Sequence, residues 1–534
     1  MAAPQPSAPV VRADVCIVGA GPAGLITACD LLRAGLDVLV LEAGPSAPAP
    51  GGDDVGGADT VGLPYRLRRS RAAGVGGSSL RWDIDTPVGG PYVRLRPLDA
   101  LDMESRSGLR AGWPLTRADL EPWYARAWAT FGLRPLPPEQ QGSTPTPLVP
   151  TDYAFGPAAT FTERLPRDVQ QAPRGRLLTG TRVLEVLTRE DGKEVSGLRC
   201  AGPEGPLTVV ARHYVLAGGG VDNARLLLAS RSSGQEGLGN RHDQVGRCFM
   251  EHPHYASGLV VVPEGRLLFE PARWAVVAVD GQAQQRKHRL SDAVLQQHDL
   301  PGAAFFVTPR PARKPVRRQP DGDLDLEVTA AVHGVRMKML TRRWDPGVTR
   351  DVARTLVAAP ALGRSAWQQR RALSAARRGR TTRDAVLFTL SVMAEQLPSP
   401  RSRVSLTAAR DPWGVPRAVL DWQVVELDRC AMSRRHHLAA PALAQVFGGR
   451  VLSFLDAVAA PHLGEGFHHM GTTRMSADPA TGVVDRDCRV HGMRNLWVAG
   501  SSVFSTGGYA NPTLTIVALA HRLADRLTRE GGSA

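Results

Sequence analysis

The sequence predicts an α/β fold with two lobes, and three observations support this prediction. The chain has 534 residues, which exceeds the usual size of a single domain. Residues 13–44 place a helical pattern between two apolar runs, around the motif GAGPAG, and this predicts a β-α-β unit. Near the C-terminus, the apolar run NLWVAGSS precedes a glycine turn and a long helical segment. Both ends of the chain therefore carry a strand, a glycine turn and a helix in that order.

The N-terminal unit has the clearest boundaries. Strands are predicted at Asp14–Val18 and Val38–Leu41, with a helix at Pro22–Ala34 between them. Proline suits the first helical turn, because its missing N–H has no partner there in any case. A connection rich in Gly, Pro and Asp then continues to about residue 60 and predicts a loop.

The GAGPAG motif and the residue that ends the second strand together predict dinucleotide binding. Gly19 permits the tight turn, Gly21 lets the backbone approach a pyrophosphate, and Gly24 lets helix and strand pack closely. The helix N-terminus supplies free amides and a partial positive charge for the phosphates. Glu42 is expected to accept the ribose hydroxyls, and no Arg or Lys directly follows it, so a 2′-phosphate is not expected. The motif alone leaves FAD and NAD open.

Composition excludes several other classes. The net charge of +14 comes almost entirely from arginines spread along the chain, and the basic stretches at 310–318 and 370–383 lack interleaved aromatic residues. We therefore expect no nucleic-acid partner. No run of about twenty apolar residues predicts a membrane span, no secretory signal is visible, and a cytoplasmic location is expected. Six widely spaced cysteines predict neither a disulfide framework nor a zinc site.

The middle of the chain carries further predicted elements. A helix is expected within Gly112–Gly132, with Thr116 as its N-cap and acidic residues in its first turn. A strand at Tyr214–Ala217 precedes a glycine turn and a helix from about Asp222. Residues 255–460 alternate strand-like runs with an Arg-rich helical stretch near 350–383.

The C-terminal segment supplies candidate reactive residues. NLWVAGSS predicts a buried strand over Asn495–Ser502, and the helix after it is expected to have Asn511 as N-cap, with Pro512 at its first position and Thr513 next. A helix N-terminus here could stabilise a reduced flavin, bind a second phosphate, or merely be capped. Upstream, the neighbouring histidines His468 and His469 are candidate bases, since a neutral imidazole can take a hydroxyl proton at physiological pH.

Several motifs together resemble the glucose–methanol–choline oxidoreductases, and within them the bacterial branch of pyranose-oxidase-like and gluconate/fructose-dehydrogenase-like enzymes. They are GAGPAG with Glu42, GVGGSSLRW, VLAGGGVDNARLLL, VGRCFMEHP, HHMGTTRM, RVHGMRNLWVAGSS and YANPTLTIVALA, in this order. The resemblance implies an FAD enzyme that oxidises a carbinol to a carbonyl. It implies that His468 is the active-site base, with His469 as the rival, and that Asn511 is the second active-site residue.

The resemblance also implies smaller roles. Gly76, Gly77 and Ser78 are expected in a loop close to the flavin and its pyrophosphate, and Val183 is expected to contact the adenine through its backbone. Gly500 and Ser501 end the C-terminal flavin strand, where Ser501 replaces the usual acidic residue. No His precedes Trp82, so non-covalent FAD is expected. His252 and His254 have the spacing of a metal pair, but no third ligand is evident, and a structural role is favoured.

These observations predict an FAD-binding Rossmann-like lobe from discontinuous segments and a substrate lobe with a mixed or antiparallel sheet. The expected boundaries are 10–95, 176–254 and 465–530 for the FAD-binding segments, 96–175 for a lid or connecting region, and 255–464 for the substrate domain. The expected reaction oxidises a sugar, glycoside or sugar-like hydroxyl, with O2 as favoured acceptor. Two alternatives are a dehydrogenase subunit that passes electrons to a cytochrome or quinone, and a redox-silent nucleotide-binding protein.

Overall fold

The structure is a computed structural model that describes residues 8–46, 58–137, 147–232, 234, 236–263, 276–309, 316–317, 384–453, 455 and 463–531. The predicted helical stretch at 350–383 and most of the basic stretch at 310–318 lie outside the described residues. The strands are β1 (Val10–Val18), β2 (Val38–Leu41), β3 (Ala58–Gly62), β4 (Ile84–Thr86), β5 (Gly89–Leu95), β6 (Leu148–Pro157), β7 (Gly175–Leu178), β8 (Arg182–Thr188), β9 (Val195–Gly202), β10 (Gly205–Leu216), β11 (His254–Pro263), β12 (Val277–Val279), β13 (Gln282–Leu290), β14 (Ala303–Pro309), β15 (Val316–Arg317), β16 (Asp384–Ala394), β17 (Arg403–Arg410), β18 (Pro416–Trp422), β19 (Arg450–Ser453) and β20 (Leu496–Val498). The α-helices are α1 (Pro22–Arg33), α2 (Leu67–Ser70), α3 (Ala100–Met103), α4 (Arg117–Thr130), α5 (Leu165–Gln171), α6 (Gly219–Ala229), α7 (Asp292–Gln297), α8 (Glu426–Val446) and α9 (Thr513–Gly531).

A seven-stranded sheet joins the two ends of the chain. Its order is β7-β2-β1-β10-β9-β8, and β20 also pairs with β10. Five of these strands pair in parallel with one another: β7, β2, β1, β10 and β20. Parallel strands are usually buried on both faces, and this explains the continuous apolar runs in the sequence. The carboxyl ends of β1, β2, β10 and β20 therefore gather at one edge of the sheet, which is where ligands bind in open α/β sheets.

The second lobe is built on a ten-stranded sheet whose core order is β19-β11-β16-β14-β13-β6-β5-β4, with β12 and β15 attached at β13 and β16. Its pairings are antiparallel, as the sequence predicted for the substrate lobe. Strands β4, β5 and β6 come from residues 84–157, which the expected boundaries assigned elsewhere. The domain boundaries themselves stay predictions. A small third sheet has the order β17-β18-β3.

The helices lie close to their predicted positions. Strand β2 has its predicted limits, and α1 ends one residue early. Thr116 caps α4 as expected, through a capping box with Asp119. Helix α6 begins at Gly219, ahead of the predicted Asp222. The C-terminal helix α9 packs against α1 and α4 and so ties the last segment of the chain to the first.

Three expectations from composition can be compared with the described residues. None of the described helices is long and apolar enough to cross a membrane. All six cysteines are free, and five of them are buried. Within the described part of the chain, no group of three or more His, Cys, Asp or Glu side chains is placed to hold a metal ion.

Candidate active site

A cavity of about 810 Å³ lies beside the edge where β1, β2, β10 and β20 end. It brings together most of the residues that the sequence singled out. Predicted site residues on its wall are Gly19, Gly21, Glu42, Gly77, Ser78, Val183, His468, Gly500, Ser501, Asn511, Pro512 and Thr513. His469 and His254 also line it, whereas Gly24 and Gly76 do not.

Gly24 and Gly19 shape the turn beneath the cavity. A Cβ atom at Gly24 would lie 2.0 Å from the carbonyl oxygen of Gly19, so only glycine fits there. Gly19 has a φ of +109°, and a Cβ on it would lie 2.6 Å from the carbonyl oxygen of Ala217. The turn therefore packs tightly against β10 and leaves the N-terminus of α1 open towards the cavity.

The loop that contains Gly76 and Gly77 lies directly on this turn. The backbone N–H of Gly76 donates to the carbonyl oxygen of Ala20 at 2.8 Å. A Cβ atom on Gly77 would lie 3.0 Å from the Cα atom of Gly21, and Gly77 has a φ of +53°. Two glycines, which have no side chains, thus bring the two backbone segments together at the cavity wall. The backbone can therefore approach a bound phosphate closely there.

Glu42 is buried at the end of β2, where its carboxylate holds three backbone segments together. It accepts hydrogen bonds from the N–H groups of Ala20, Gly44 and Gly74 at 2.9, 2.8 and 3.0 Å. Burial raises the pKa of Glu42, and these hydrogen bonds oppose the rise. The carboxylate thus aligns the glycine turn with the loop. Its expected contact with a ribose stays a prediction.

The C-terminal residues reach the cavity in a different way than the sequence indicated. Helix α9 begins at Thr513, so the prediction that Asn511 is its N-cap and Pro512 its first residue was wrong by one position. The Asn511 side chain does not cap the helix: its Nδ2 atom lies 3.0 Å from His468 Nε2. Ser501 Oγ donates to the carbonyl oxygen of His469 at 2.6 Å and so positions the histidine pair.

A chain of hydrogen bonds determines the tautomer of His468. His252 Nε2 lies 3.2 Å from the carbonyl oxygen of Gly507, which can only accept, so this nitrogen carries a proton. A neutral His252 then accepts at Nδ1, which lies 2.8 Å from His468 Nδ1. His468 must therefore donate from Nδ1. Its Nε2 atom is left with a free lone pair, which accepts from the Asn511 amide.

Burial keeps these imidazoles neutral. It lowers the pKa of His252 to about 4, and it lowers the pKa of His468 well below its ordinary value, with smaller effects from His252, His254, His469 and Arg94. The His468 side chain keeps 14% of its surface exposed, so a ligand in the cavity can reach it. An unprotonated, reachable Nε2 atom can act as a base at neutral pH.

Glu251 supports the two histidines from behind. Its carboxylate accepts the backbone N–H of His252 at 2.7 Å and that of His468 at 2.9 Å, and it also accepts the Tyr65 hydroxyl. Burial raises the pKa of Glu251 to about 7. No role for Glu251 or Tyr65 was predicted from the sequence, and a structural role was favoured for His252. The adjacent Glu251 and His252 in the motif VGRCFMEHP were the sequence feature from which this support could have been predicted.

His469, the rival candidate base, has different surroundings. Its ring lies 5.4 Å from that of Tyr65 and 5.9 Å from that of Phe249, centroid to centroid. Burial lowers its pKa to about 3, and its Nε2 atom has no hydrogen-bond partner among the described residues. His469 thus lacks the hydrogen-bonded chain that orients His468.

The cavity wall fits a polar organic cofactor. Five buried polar atoms on residues of this wall have no hydrogen-bond partner among the described residues: Arg71 Nε, Arg182 Nε, His254 Nε2, His469 Nε2 and Asn511 Oδ1. Buried polar atoms are rarely left unpaired, so a bound molecule is expected to complete them. The same cavity extends to the glycine turn at Gly19 and Gly21, where a pyrophosphate would meet free backbone amides.

Comparison with protein families agrees with this geometry. One GMC oxidoreductase model matches residues 158–254 and a second matches residues 398–520. An FAD binding domain model matches residues 12–48, which contain the glycine turn. The chain belongs to the glucose–methanol–choline oxidoreductases. This oxidoreductase is an FAD-dependent enzyme that acts on alcohols, so the redox-silent alternative is set aside.

Two relatives and a solved structure match nearly the whole length of this chain. Paromamine 6′-oxidase of Streptomyces fradiae is 25% identical, over 96% of this chain and 90% of its own. The fructose dehydrogenase large subunit of Gluconobacter japonicus is 23% identical, over 97% of this chain and 98% of its own. The crystal structure of pyridoxine 4-oxidase from Mesorbium loti superposes with a TM-score of 0.53 at 16% identity, covering 96% of this chain and 99% of that chain, and so shares the fold.

Proposed function

We propose that this GMC oxidoreductase oxidises a CH–OH group of a sugar, glycoside or sugar-like natural product to a carbonyl, with His468 as the base. One observation carries the assignment of the base: His468 Nε2 lies 3.0 Å from the Asn511 amide at the cavity wall, while Nδ1 of the same ring lies 2.8 Å from His252 Nδ1. Relatives named for paromamine and fructose support the substrate class.

His468 and Asn511 are proposed to have different roles in the reaction. His468 Nε2 takes the hydroxyl proton of the substrate, and Asn511 Nδ2 donates to the same oxygen and orients the carbinol carbon. When bound, FAD supplies the acceptor for the hydride that leaves this carbon. The imidazolium that forms on His468 lies beside the Glu251 carboxyl group, since His468 Nδ1 is 3.9 Å from Glu251 Oε1, and this group can balance the charge once it is ionised.

Most of the residues proposed to hold FAD line the cavity. Gly19, Gly21 and the N-terminus of α1 would hold the pyrophosphate, next to the loop of Gly76, Gly77 and Ser78. Glu42 and Val183 would contact the adenosine part. Gly500, Ser501, Pro512 and Thr513, before and at the start of α9, would contact the flavin part. Leu80 and Arg81 precede Trp82 where covalent members carry a histidine, so the cofactor is proposed to be non-covalent.

Molecular oxygen is the proposed acceptor in the second half of the reaction. The relatives include proteins named as oxidases and one named as a dehydrogenase subunit. Transfer of electrons to a cytochrome or quinone through a partner protein is therefore the second candidate. A cytoplasmic location completes the proposal, and the domain boundaries given above are retained except that β4, β5 and β6 join the substrate lobe.

A panel of sugars and glycosides added anaerobically to the purified holoenzyme tests this function. Bleaching of the oxidised flavin spectrum by at least one sugar is expected, and peroxide should form when air is readmitted. Bleaching without peroxide, followed by recovery on addition of a quinone or ferricyanide, would favour the dehydrogenase candidate. A flavin that no sugar reduces, although simple non-sugar alcohols do, would contradict the substrate class.

A further inference from the structure

One face of the antiparallel sheet borders the catalytic cavity and carries unusual cations. Arg94 on β5 is paired with Phe155 on β6, and Gln285 on β13 is paired with Tyr153 on β6. Paired residues of antiparallel strands have their side chains on one face, and so do residues two apart. Arg94 Nε accordingly donates to Gln285 Oε1 at 3.2 Å. Arg94 also lines the cavity that contains His468.

Lys287 lies two residues beyond Gln285 on the same face. Only 2% of it is exposed, and its Nζ atom lies 4.4 Å from the ring centroids of both Tyr153 and Phe306. Its charge contributes to lowering the pKa of His252 and His254, although Lys287 does not line the cavity. Arg94 contributes in the same way to the pKa of His468. Of the two side chains, Arg94 is the one that shares the cavity wall with the proposed base.

Neither cation forms an ion pair within the described part of the chain. Two arginines on β13, the strand that carries Lys287, do form ion pairs. Arg286, on the opposite face, pairs with Asp152 at 2.8 Å, and Arg289 pairs with Asp292 at 2.7 Å. Asp83, which is exposed, is the acidic group that acts on Arg94 through its charge without pairing. Burial lowers the pKa of Arg94, and it lowers the pKa of Lys287 well below its ordinary value, so Arg94 is the cation on this face that the inference uses.

We propose that the substrate of this enzyme carries a carboxylate and that Arg94 binds it. The preferred class is therefore an acidic sugar, such as a uronic acid or its glycoside, and this deepens the proposed function on which it rests. A guanidinium with its fork of donors matches a carboxylate in two parallel hydrogen bonds. A substrate with a protonated amine at this place would meet the Arg94 guanidinium instead, and like charges this close disfavour binding.

Three sugars with one ring and different charges test the proposal. D-glucuronate, D-glucose and D-glucosamine carry charges of −1, 0 and +1 at neutral pH. Their dissociation constants are measured through changes in the oxidised flavin spectrum of the anaerobic holoenzyme. We expect D-glucuronate to bind at least about tenfold more tightly than D-glucose, D-glucosamine to bind most weakly, and the preference to shrink with added salt. Undetectable binding of D-glucuronate, or binding of D-glucosamine that equals it, overturns the proposal.

Substitutions of Arg94 test whether this residue binds the carboxylate. Arg94→Gln should weaken D-glucuronate binding about ten- to hundredfold and change D-glucose binding little, while Arg94→Lys retains most of the preference. Arg286→Gln is the matched control, since it makes the same change on the opposite face and should preserve the preference. Equal loss of D-glucuronate and D-glucose binding in Arg94→Gln would overturn the assignment. If that variant fails to fold, the charge series and its salt dependence in the parent enzyme still decide.

Failure of this inference can be told apart from failure of the proposed function. Binding to the oxidised enzyme does not require turnover, so a charge preference without flavin bleaching by any sugar would contradict the proposed function alone. Bleaching by neutral or amine-bearing sugars with no advantage for D-glucuronate would contradict only the carboxylate inference.

Discussion

His252 Nδ1 lies 2.8 Å from His468 Nδ1, and this contact orients the proposed base. Two unprotonated Nδ1 atoms would repel each other, so one of them must donate. Because His252 Nε2 already donates to Gly507, His468 is the donor and its Nε2 atom is free of a proton. A residue 216 positions away in sequence thus sets the protonation site of the base.

His252→Leu should slow anaerobic flavin reduction about ten- to hundredfold, since His468 can then exchange tautomers and rotate. His252→Asn should recover part of the rate, because its amide oxygen lies near the former Nδ1 atom and can accept from His468. Stopped-flow reduction of the holoenzymes measures both. Equal rates in the Leu and Asn variants would show that His252 only fills space.

His468→Ala should retain FAD and lose about 10²–10⁴-fold in the rate of flavin reduction, the usual contribution of a general base. The flavin-to-protein absorbance ratio checks retention, and stopped-flow mixing measures the rate. His213→Ala is a control, because His213 lies on β10 outside the cavity wall. Near-parent reduction by His468→Ala, with a large loss in His469→Ala, would transfer the role to His469.

Asn511→Asp tests the direction of the hydrogen bond at His468 Nε2. A carboxylate can only accept, so it would hold a proton on Nε2 and raise the pKa of His468. We expect slow reduction at neutral pH that recovers as pH rises, with the acid limb moved upward by about 1–3 pH units. Asn511→Ala should slow reduction less than His468→Ala and leave the acid limb in place. Identical pH profiles of the Asp and Ala variants would contradict the assigned donor.

Local spacing predicted the parts of the fold that neighbouring residues determine. The β1-α1-β2 unit and the N-cap at Thr116 depend on residues a few positions apart, and both were predicted closely, although β1 begins at Val10 and not at the predicted Asp14. Sequence analysis missed the contact of His252 with His468, because it depends on how β11 docks beside the C-terminal segment. The helix-cap prediction for Asn511 failed for the same kind of reason, since a distant imidazole holds its amide.

Glu251→Gln should change how stability depends on pH. Burial raises the pKa of Glu251 to about 7 in the folded protein, whereas an unfolded chain titrates near its ordinary value of about 4.3. Its contribution to stability is therefore complete below the unfolded value and is lost as pH rises through about 7.

Glutamine resembles the protonated form of Glu251 and does not titrate. The Glu251→Gln variant should therefore not lose this contribution to stability as pH rises. The free energy of unfolding of the parent, relative to the variant, should fall by about 1–3 kcal/mol between pH 5 and pH 8. Urea unfolding at matched flavin occupancy measures the difference. Parallel stability curves for the two proteins would show that Glu251 stays ionised throughout.

Gly77→Ala should weaken FAD binding more than a positive φ alone explains. Gly77 and Gly35 have φ values of +53° and +85°, so alanine is strained by about 1 kcal/mol at each. A Cβ on Gly77 would also lie 3.0 Å from Gly21 Cα, at the place where the two backbones meet beside the cavity, whereas a Cβ on Gly35 has no atom within 4 Å. Both variants should thus lose similar stability, but only Gly77→Ala should release FAD readily, as measured by flavin fluorescence on dilution. Equal FAD retention in the two variants would remove Gly77 from the proposed cofactor site.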